Sequence, residues 1–255
     1  MANVDARELE SKVKQMYREV AESPEGEFHF EMGRVMAERL GYPATDLDRV
    51  PADAIASFAG VGHFFNLAGL ESGETVVDLG SGSGMDTFVA ALKVGPSGRV
   101  VGVDMTDEQL AKAERLRAAG GFGQITYRKA YIEETGLESG TAACVISNGV
   151  INLAPDKGRV FKEAARLLRP GGRLAIADIV TDAALPESVV CNADLWAACI
   201  GGAAQRDAYR EQIEAAGLSV TRVQENPEYR FISDRALGAT TKYGVKSVSI
   251  LAVKR

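Results

Sequence analysis

The stretch Val76-Val77-Asp78-Leu79-Gly80-Ser81-Gly82-Ser83-Gly84-Met85-Asp86 constrains this chain most. It begins as an apolar β-type run, becomes a glycine-rich turn, and continues into Thr87-Phe88-Val89-Ala90-Ala91-Leu92 as a helix. Strand, Gly-x-Gly-x-Gly turn and helix form a nucleotide-binding arrangement, in which missing Cβ atoms are expected to let a ligand lie against the backbone. The helix N-terminus offers free N–H groups to electronegative ligand atoms. A second β run, Arg99-Val100-Val101-Gly102-Val103-Asp104, ends in an acid twenty residues after Gly84. An acid at that strand tip can accept hydrogen bonds from both ribose hydroxyls. Two details point away from a dinucleotide. The dinucleotide fingerprint has two residues between its second and third glycines, and this turn has one. Asp78 lies inside the first strand, where a dinucleotide site is apolar.

The pattern around this turn alternates strand and helix, which implies a doubly wound α/β domain with a mostly parallel sheet. Strands are expected at 75–80, 99–104, 124–129, 143–148 and 173–180, then at 219–224 and 246–254. Helices are expected at 84–93, 107–119, 156–169 and 207–216. Thr106 is the expected cap of the second of these, and Pro170-Gly171-Gly172 the stop of the third. Ahead of the core, Leu9, Val13, Met16, Tyr17 and Val20 give residues 5–21 an amphipathic helical face. Phe30, Met32, Val35, Met36 and Leu40 mark a second helix, ended at Gly41-Tyr42-Pro43. Residues 1–65 are expected to form a helical lid. Residues 66–255 then form the core, with a helical cover segment at 186–217.

Composition narrows the class. The 255 residues are 46% hydrophobic and 25% charged, as in ordinary globular proteins. A net charge of -6 argues against a nucleic-acid partner. No apolar run reaches membrane-spanning length, and the charged start carries no secretory signal, so a cytoplasmic location is expected. Cys144, Cys191 and Cys199 are too few and too unevenly spaced for a disulfide framework. No metal site is read in the sequence. A monomer or homodimer acting on a small molecule is expected.

An acid, Leu, Gly-x-Gly-x-Gly and a later acid resemble the binding pattern of class I S-adenosylmethionine methyltransferases. That resemblance runs from about Tyr17 to the C-terminus. It implies a Rossmann-like fold of seven strands with an antiparallel last strand, and S-adenosyl-L-methionine as cofactor with S-adenosyl-L-homocysteine as product. It also places the methionine end along Gly80, Ser81, Gly82 and Gly84 near Asp78, the ribose on Asp104, and the adenine against Met105, Tyr131, Ile132 and Glu133. The likeness sharpens at Gly102-Val103-Asp104-Met105-Thr106, Tyr131-Ile132-Glu133, Val145-Ile146-Ser147-Asn148-Gly149-Val150-Ile151-Asn152-Leu153-Ala154-Pro155-Asp156-Lys157 and Leu195-Trp196-Ala197-Ala198-Cys199-Ile200-Gly201-Gly202-Ala203. These resemble the arsenite methyltransferases. Their pattern implies three cysteines that bind trivalent arsenic, a soft ion that prefers sulfur. Cys199 remains, whereas Gly149 and Thr87 occupy the other two positions. Cys191 lies about 12 Å from Cys199 at ~1.5 Å per helical residue, too far for joint ligation on one straight helix. Cys144 reads as a small core hydrophobe.

Acceptor chemistry is expected at the C-terminal strand edge and in the added segments. Asn148, at the tip of strand four, is a candidate for both cofactor and acceptor. His63 is a candidate general base, and Cys199 a candidate catalytic thiolate. Tyr17, Phe64, Gly149 and Trp196 are candidate substrate contacts, with Gly149 expected to open space beside Asn148. Three functions follow: methyl transfer to an organic small molecule, methylation of trivalent arsenicals by Cys199 with external thiols, or cofactor binding without transfer.

Overall fold

The computed structural model describes residues 5–190, 196, 201–232 and 234–255. Helix α1 (Ala6–Glu22) starts at Asp5, whose carboxylate accepts from the N–H groups of Arg7 and Glu8. Short helices follow at α2 (Arg34–Arg39), α3 (Ala44–Leu47), α4 (Ala52–Ala56) and α5 (Phe65–Ala68). The core is β1 (Thr75–Leu79), α6 (Met85–Val94), β2 (Arg99–Asp104), α7 (Asp107–Gly120), β3 (Ile125–Lys129), β4 (Ala142–Asn148), α8 (Lys157–Leu167) and β5 (Leu168–Thr181). Helix α9 (Glu187–Val190), β6 (Ala204–Gln205), α10 (Arg206–Ala215), β7 (Leu218–Glu225), α11 (Asp234–Tyr243) and β8 (Lys246–Lys254) complete the described elements.

The sheet runs β3-β2-β1-β4-β5-β8-β7, with the two-residue β6 beside β5. Strands β1 to β5 are parallel, and β8 is antiparallel to both β5 and β7. Strand alternation sorts side chains onto two buried faces. Val76, Val100, Cys144 and Ile146 join one apolar cluster with Phe88 and Val89 of α6. Val77, Leu79, Val101, Val103 and Val145 join the other, with Phe161 of α8 and Tyr209 of α10. The strand order reverses between β1 and β4, and that switch point opens the cleft in which α/β sheets bind ligands.

Several boundaries depart from expectation. The second helix covers only Arg34–Arg39, because Gly33 stands at φ 85° and breaks the backbone ahead of it. Phe28 and Phe30 stack outside any helix, and Phe30 stacks in turn on Tyr17. Helix α8 stops at Leu167, since Arg169 precedes Pro170 and is pushed to extended backbone. Thr106 occupies the cap position of α7 without a side-chain capping bond. Leu9, Val13, Met36 and Phe58 of the N-terminal segment share one cluster with Val76 and Phe88 of the core. Of the expected cover segment, residues 191–195 and 197–200 lie outside the described residues, and the rest holds α9, the short strand β6 and α10 rather than helix throughout. No described helix is long and apolar enough to cross a membrane.

Candidate functional site

The glycine turn is built from strand tips. The N–H groups of Gly80 and Ser81 both donate to the Val103 carbonyl, at 2.8 and 3.0 Å. Gly80, Gly82 and Gly84 stand at φ 77°, 51° and 95°, a region that side chains avoid. At Gly80 and Gly84 the missing Cβ atoms make room for protein, whereas Gly82 meets only ordinary contact with Gln109. A Cβ on Gly80 would stand 2.5 Å from Val150, and one on Gly84 would stand 2.3 Å from the Tyr127 hydroxyl. Asp104 braces this turn, its carboxylate accepting from Gly82 N–H and Thr106 N–H, each at 2.9 Å. Burial raises its pKa and these two bonds oppose the shift.

Two cavities share Tyr17, Gly80, Gly82 and Val150. The first, about 910 Å³ out to its mouth, is lined by Asp104, Met105, Thr106, Tyr131, Ile132 and Glu133 on the sheet side. Leu153, Ala154 and Pro155 wall it below, and Ala6, Leu9, Glu10, Val13 and Tyr17 of α1 close it above. Burial raises the pKa of Glu133. Helix α1 is fastened over this cavity at several points. The Tyr131 hydroxyl donates to Glu10 Oε1 at 2.7 Å, and Lys14 Nζ donates to both Glu10 and Tyr131. Gln109 Nε2 donates to the Tyr17 carbonyl, and buried Lys112 donates to the Ala21 carbonyl.

The second cavity lies at the other end of the turn. It is lined by Asp78, the Gly80–Asp86 backbone and side chains, Phe58, Ala59, Gly60 and Asn148. Asp86, in the first turn of α6, accepts from the Tyr42 hydroxyl at 2.6 Å and from Asn148 Nδ2 at 2.9 Å. Asp78 accepts from Thr87 Oγ1 at 2.6 Å. Burial and the neighbouring Asp86 charge push Asp78 up to about 8. Burial pushes Asp86 up to about 6, with the Tyr42 and Asn148 bonds pulling the other way. The buried Ser81 hydroxyl, on the same wall, has no hydrogen-bond partner among the described residues.

The remaining sequence candidates sit elsewhere. The Asn148 amide is already engaged. Its Oδ1 accepts from Val61 N–H and Gly62 N–H, while Nδ2 donates to Asp86, Tyr42 and the Gly62 carbonyl. The 61–63 loop is also tied from behind: Ser247 Oγ donates to the Val61 carbonyl and Ser249 Oγ to the His63 carbonyl. His63 packs edge-on against Tyr42 at 4.7 Å, and its Nε2 is buried without a partner among the described residues. Burial, then the Lys93 charge, lowers its pKa to about 4, so the ring stays neutral near pH 7. It lines neither cavity, and neither does the fully buried Phe64. Gly149 does not open space. It stands at φ 71°, and a Cβ there would lie 3.1 Å from Val61 Cγ1. Trp196 is buried, donates to the Val190 carbonyl, and lies under Lys157 Nζ at 4.6 Å from its ring centre. Cys191 and Cys199 lie outside the described residues. Cys144 is buried in β4, where desolvation pushes its thiol up to about 12.

Sequence reasoning missed three residues. Asp86 was given no role beyond closing the glycine-turn stretch, and Tyr42 read as part of a Gly-Tyr-Pro helix stop. Asp178 of β5, wholly buried, accepts from Asn152 N–H, Ile179 N–H and the Tyr209 hydroxyl, and so fixes the segment leading to the Ala154–Pro155 wall. An acid in the middle of an apolar strand was the available signal for it.

A doubly wound sheet with a braced glycine turn, an acid at the tip of β2 and a two-part cleft defines a protein of the nucleotide-cofactor-binding type. The family model described as a methyltransferase domain matches residues 70–217. The chain belongs to the S-adenosylmethionine-dependent methyltransferases. It is 41% identical to an arsenite methyltransferase of Halobacterium salinarum over 199 residues, covering 78% of this chain and 51% of that protein. It is 42% identical to human arsenite methyltransferase over 137 residues, covering 50% of this chain and 36% of that one. The chain thus spans about half or less of the length of these curated relatives. Among solved structures, an arsenic(III) S-adenosylmethionine methyltransferase from Chlamydomonas reinhardtii superposes with a TM-score of 0.65 at 32% identity, covering 88% of this chain and 74% of that one. A geranyl diphosphate C-methyltransferase from Streptomyces coelicolor A3(2) superposes at 0.70 with 16% identity, covering 99% and 100%, a likeness of fold alone.

Proposed function

We propose that this protein transfers a methyl group from S-adenosylmethionine to a small organic acceptor. The cofactor supplies a methyl group already activated on a sulfonium. The chain's residues fit it: an apolar first cavity with an acid at each polar edge suits an adenosine, and an acidic second cavity suits a cationic amino-acid end. Asp104 would hold the ribose, and Met105, Tyr131, Ile132 and Glu133 the adenine. Helix α1 would exclude water from above, the condition under which alignment of acceptor, methyl and sulfur is most effective.

The nature of the acceptor rests on one observation. Beside Asn148 the chain places Val61 against Gly149, an apolar contact at one of the expected thiolate positions. Thr87, at another, is buried and bonded to Asp78. A soft metalloid prefers sulfur ligands, and no described cysteine lines either cavity. A second reading is kept because of the identity to arsenite methyltransferases: trivalent arsenicals handled by Cys199 with external thiols. A third is cofactor binding without transfer.

Methyl-labelled cofactor incubated with a metabolite pool separates these. Labelled organic product, with negligible methylarsenic from arsenite plus glutathione, supports the proposal. Methylarsenic formation that vanishes in Cys199→Ser supports the second reading and overturns the first. Cofactor bound with no labelled product from either source leaves the third.

A further inference from the structure

The second cavity carries an uncompensated charge. Asp78 and Asp86 are 2% and 6% exposed and line the same wall. Among the described residues, neither forms an ion pair with any lysine, arginine or histidine. Their partners are all neutral: Thr87 for Asp78, Tyr42 and Asn148 for Asp86. Two ionised carboxylates in one low-dielectric space are costly, so one of them holds a proton. The buried Ser81 hydroxyl, unpartnered among the described residues, lies on the same wall and marks it as a place where a polar ligand atom is accommodated.

The hydrogen bonds decide which acid keeps the charge. Asp86 has a donor on each oxygen, from an elsewhere-anchored tyrosine and an amide that cannot swing away. Asp78 has one donor, on one oxygen. Donors aimed at the charged form favour that form.

We propose that Asp86, held by Tyr42 and Asn148, is the anionic seat for the cofactor's α-ammonium group, while Asp78 stays protonated beside it. This deepens the reading of the cavity as a cofactor seat and rests on it. The roles are opposite to what strand position alone suggests, since Asp78 is the acid of the glycine-turn motif. Tyr42 thereby becomes a positioning residue. It is supplied by the N-terminal segment and acts on the ligand only through Asp86.

The groups facing Asp86 are Asp78 from β1, Tyr42 from the segment after α2, and Asn148 from β4. His63, stacked on Tyr42, is neutral above about pH 4. Acidification from pH 7 to pH 5 therefore bears chiefly on Asp86 at this end of the cleft. A free α-amino group stays protonated throughout, with its ordinary pKa near ~7.8.

The test is calorimetric and needs no acceptor. S-adenosylhomocysteine carries the ammonium, and methylthioadenosine carries the same nucleoside without it. Asp86→Asn is expected to weaken S-adenosylhomocysteine on the order of 10- to 100-fold, the loss of one charge-assisted bond, and to leave methylthioadenosine unchanged. Asp78→Asn, which replaces a group already neutral, is expected to keep both affinities within about threefold. Tyr42→Phe removes one donor from Asp86. It is expected to move the midpoint at which S-adenosylhomocysteine affinity falls on acidification to higher pH, an effect that a merely structural role would not produce. An Asp78→Asn loss equal to that of Asp86→Asn overturns the assignment, and so does an equal loss for both ligands in Asp86→Asn. Should Asp86→Asn not fold, the wild-type profile carries the test. Affinity falling from pH 7 to pH 5 for S-adenosylhomocysteine but not for methylthioadenosine supports the proposal, and parallel profiles overturn it. If neither ligand binds wild type, the cofactor reading itself fails, which is a distinct result.

Discussion

Gly149 offers a direct test of whether this cleft can be turned back toward a thiolate site. Its backbone stands at φ 71° and its α-carbon faces Val61. A side chain in the left-handed region costs roughly 1–2 kcal/mol. A Cβ 3.1 Å from Val61 Cγ1 forces that side chain to give way by a few tenths of an ångström, which adds up to about 1 kcal/mol in a packed setting. Gly149→Ala and Gly149→Cys are therefore expected to lose about 1–3 kcal/mol. At ~2–4 °C per kcal/mol for a chain near this size, the melting midpoint falls by roughly 2–12 °C. Urea unfolding should show the midpoint moving with an unchanged slope. Combining Val61→Ala with Gly149→Ala separates the two contributions. The pair should lose less than the sum of the single losses, because the contact is shared, while the backbone part remains. The new thiol of Gly149→Cys should also bring no gain in arsenite methylation, since its Cβ meets Val61. A Gly149→Cys protein as stable as wild type would refute the packing argument. One that gained arsenite turnover would refute the functional argument built on it.

Three further outcomes are expected. Asp104→Ala loses the brace on Gly82 and Thr106 together with the proposed ribose contact, and should weaken S-adenosylmethionine on the order of 2–4 kcal/mol by calorimetry; equal affinities would reject the assignment. His63 has a folded pKa of about 4 against an ordinary 6.5. Its contribution to stability is whole above pH 6.5 and is lost as pH falls toward 4, so His63→Gln should flatten the stability profile in that window while leaving the neutral-pH side of any methyl-transfer profile without a histidine limb. Tyr131→Phe unties α1 from the adenine-side loop at a cost below about 1 kcal/mol, because the Glu10 pair is partly exposed; hydrogen exchange across residues 6–22 should quicken, and unchanged exchange would count against α1 as a lid.

The sheet was legible because its signals are local. Apolar strands, the glycine turn and the acid closing β2 each announce themselves within a few residues, and the parallel order follows from alternation. Asp104, Met105, Tyr131, Ile132 and Glu133, grouped in the sequence by family resemblance, do line one cavity. The surroundings of Asn148 and Gly149 were not legible. Asn148 read as a free amide, but what fills it is a loop nearly ninety residues earlier in the chain. Gly149 read as open space, but Val61 of that same loop occupies it. Asp86 was overlooked because its importance comes from Tyr42, forty-four residues away, and from a cavity that exists only after folding. Helix α2 was overdrawn because apolar spacing carried through Gly33, whose backbone angle no periodicity reports.

The serines of β8 have a consequence for the order of assembly. Residues 61–63 are aligned between Asn148 on one side and Ser247 and Ser249 on the other, and the latter two belong to the last strand of the sheet to leave the ribosome. β8 also has to slip antiparallel between β5 and β7 to deliver them. A nascent chain that has folded β1 to β5 therefore has its glycine turn and Asp104, yet still lacks the strand that fixes residues 61–63 beside Asn148. The cavity beside the glycine turn can thus take shape before the 61–63 loop is fixed, and β8 works as the bolt that completes the second after the first is in place.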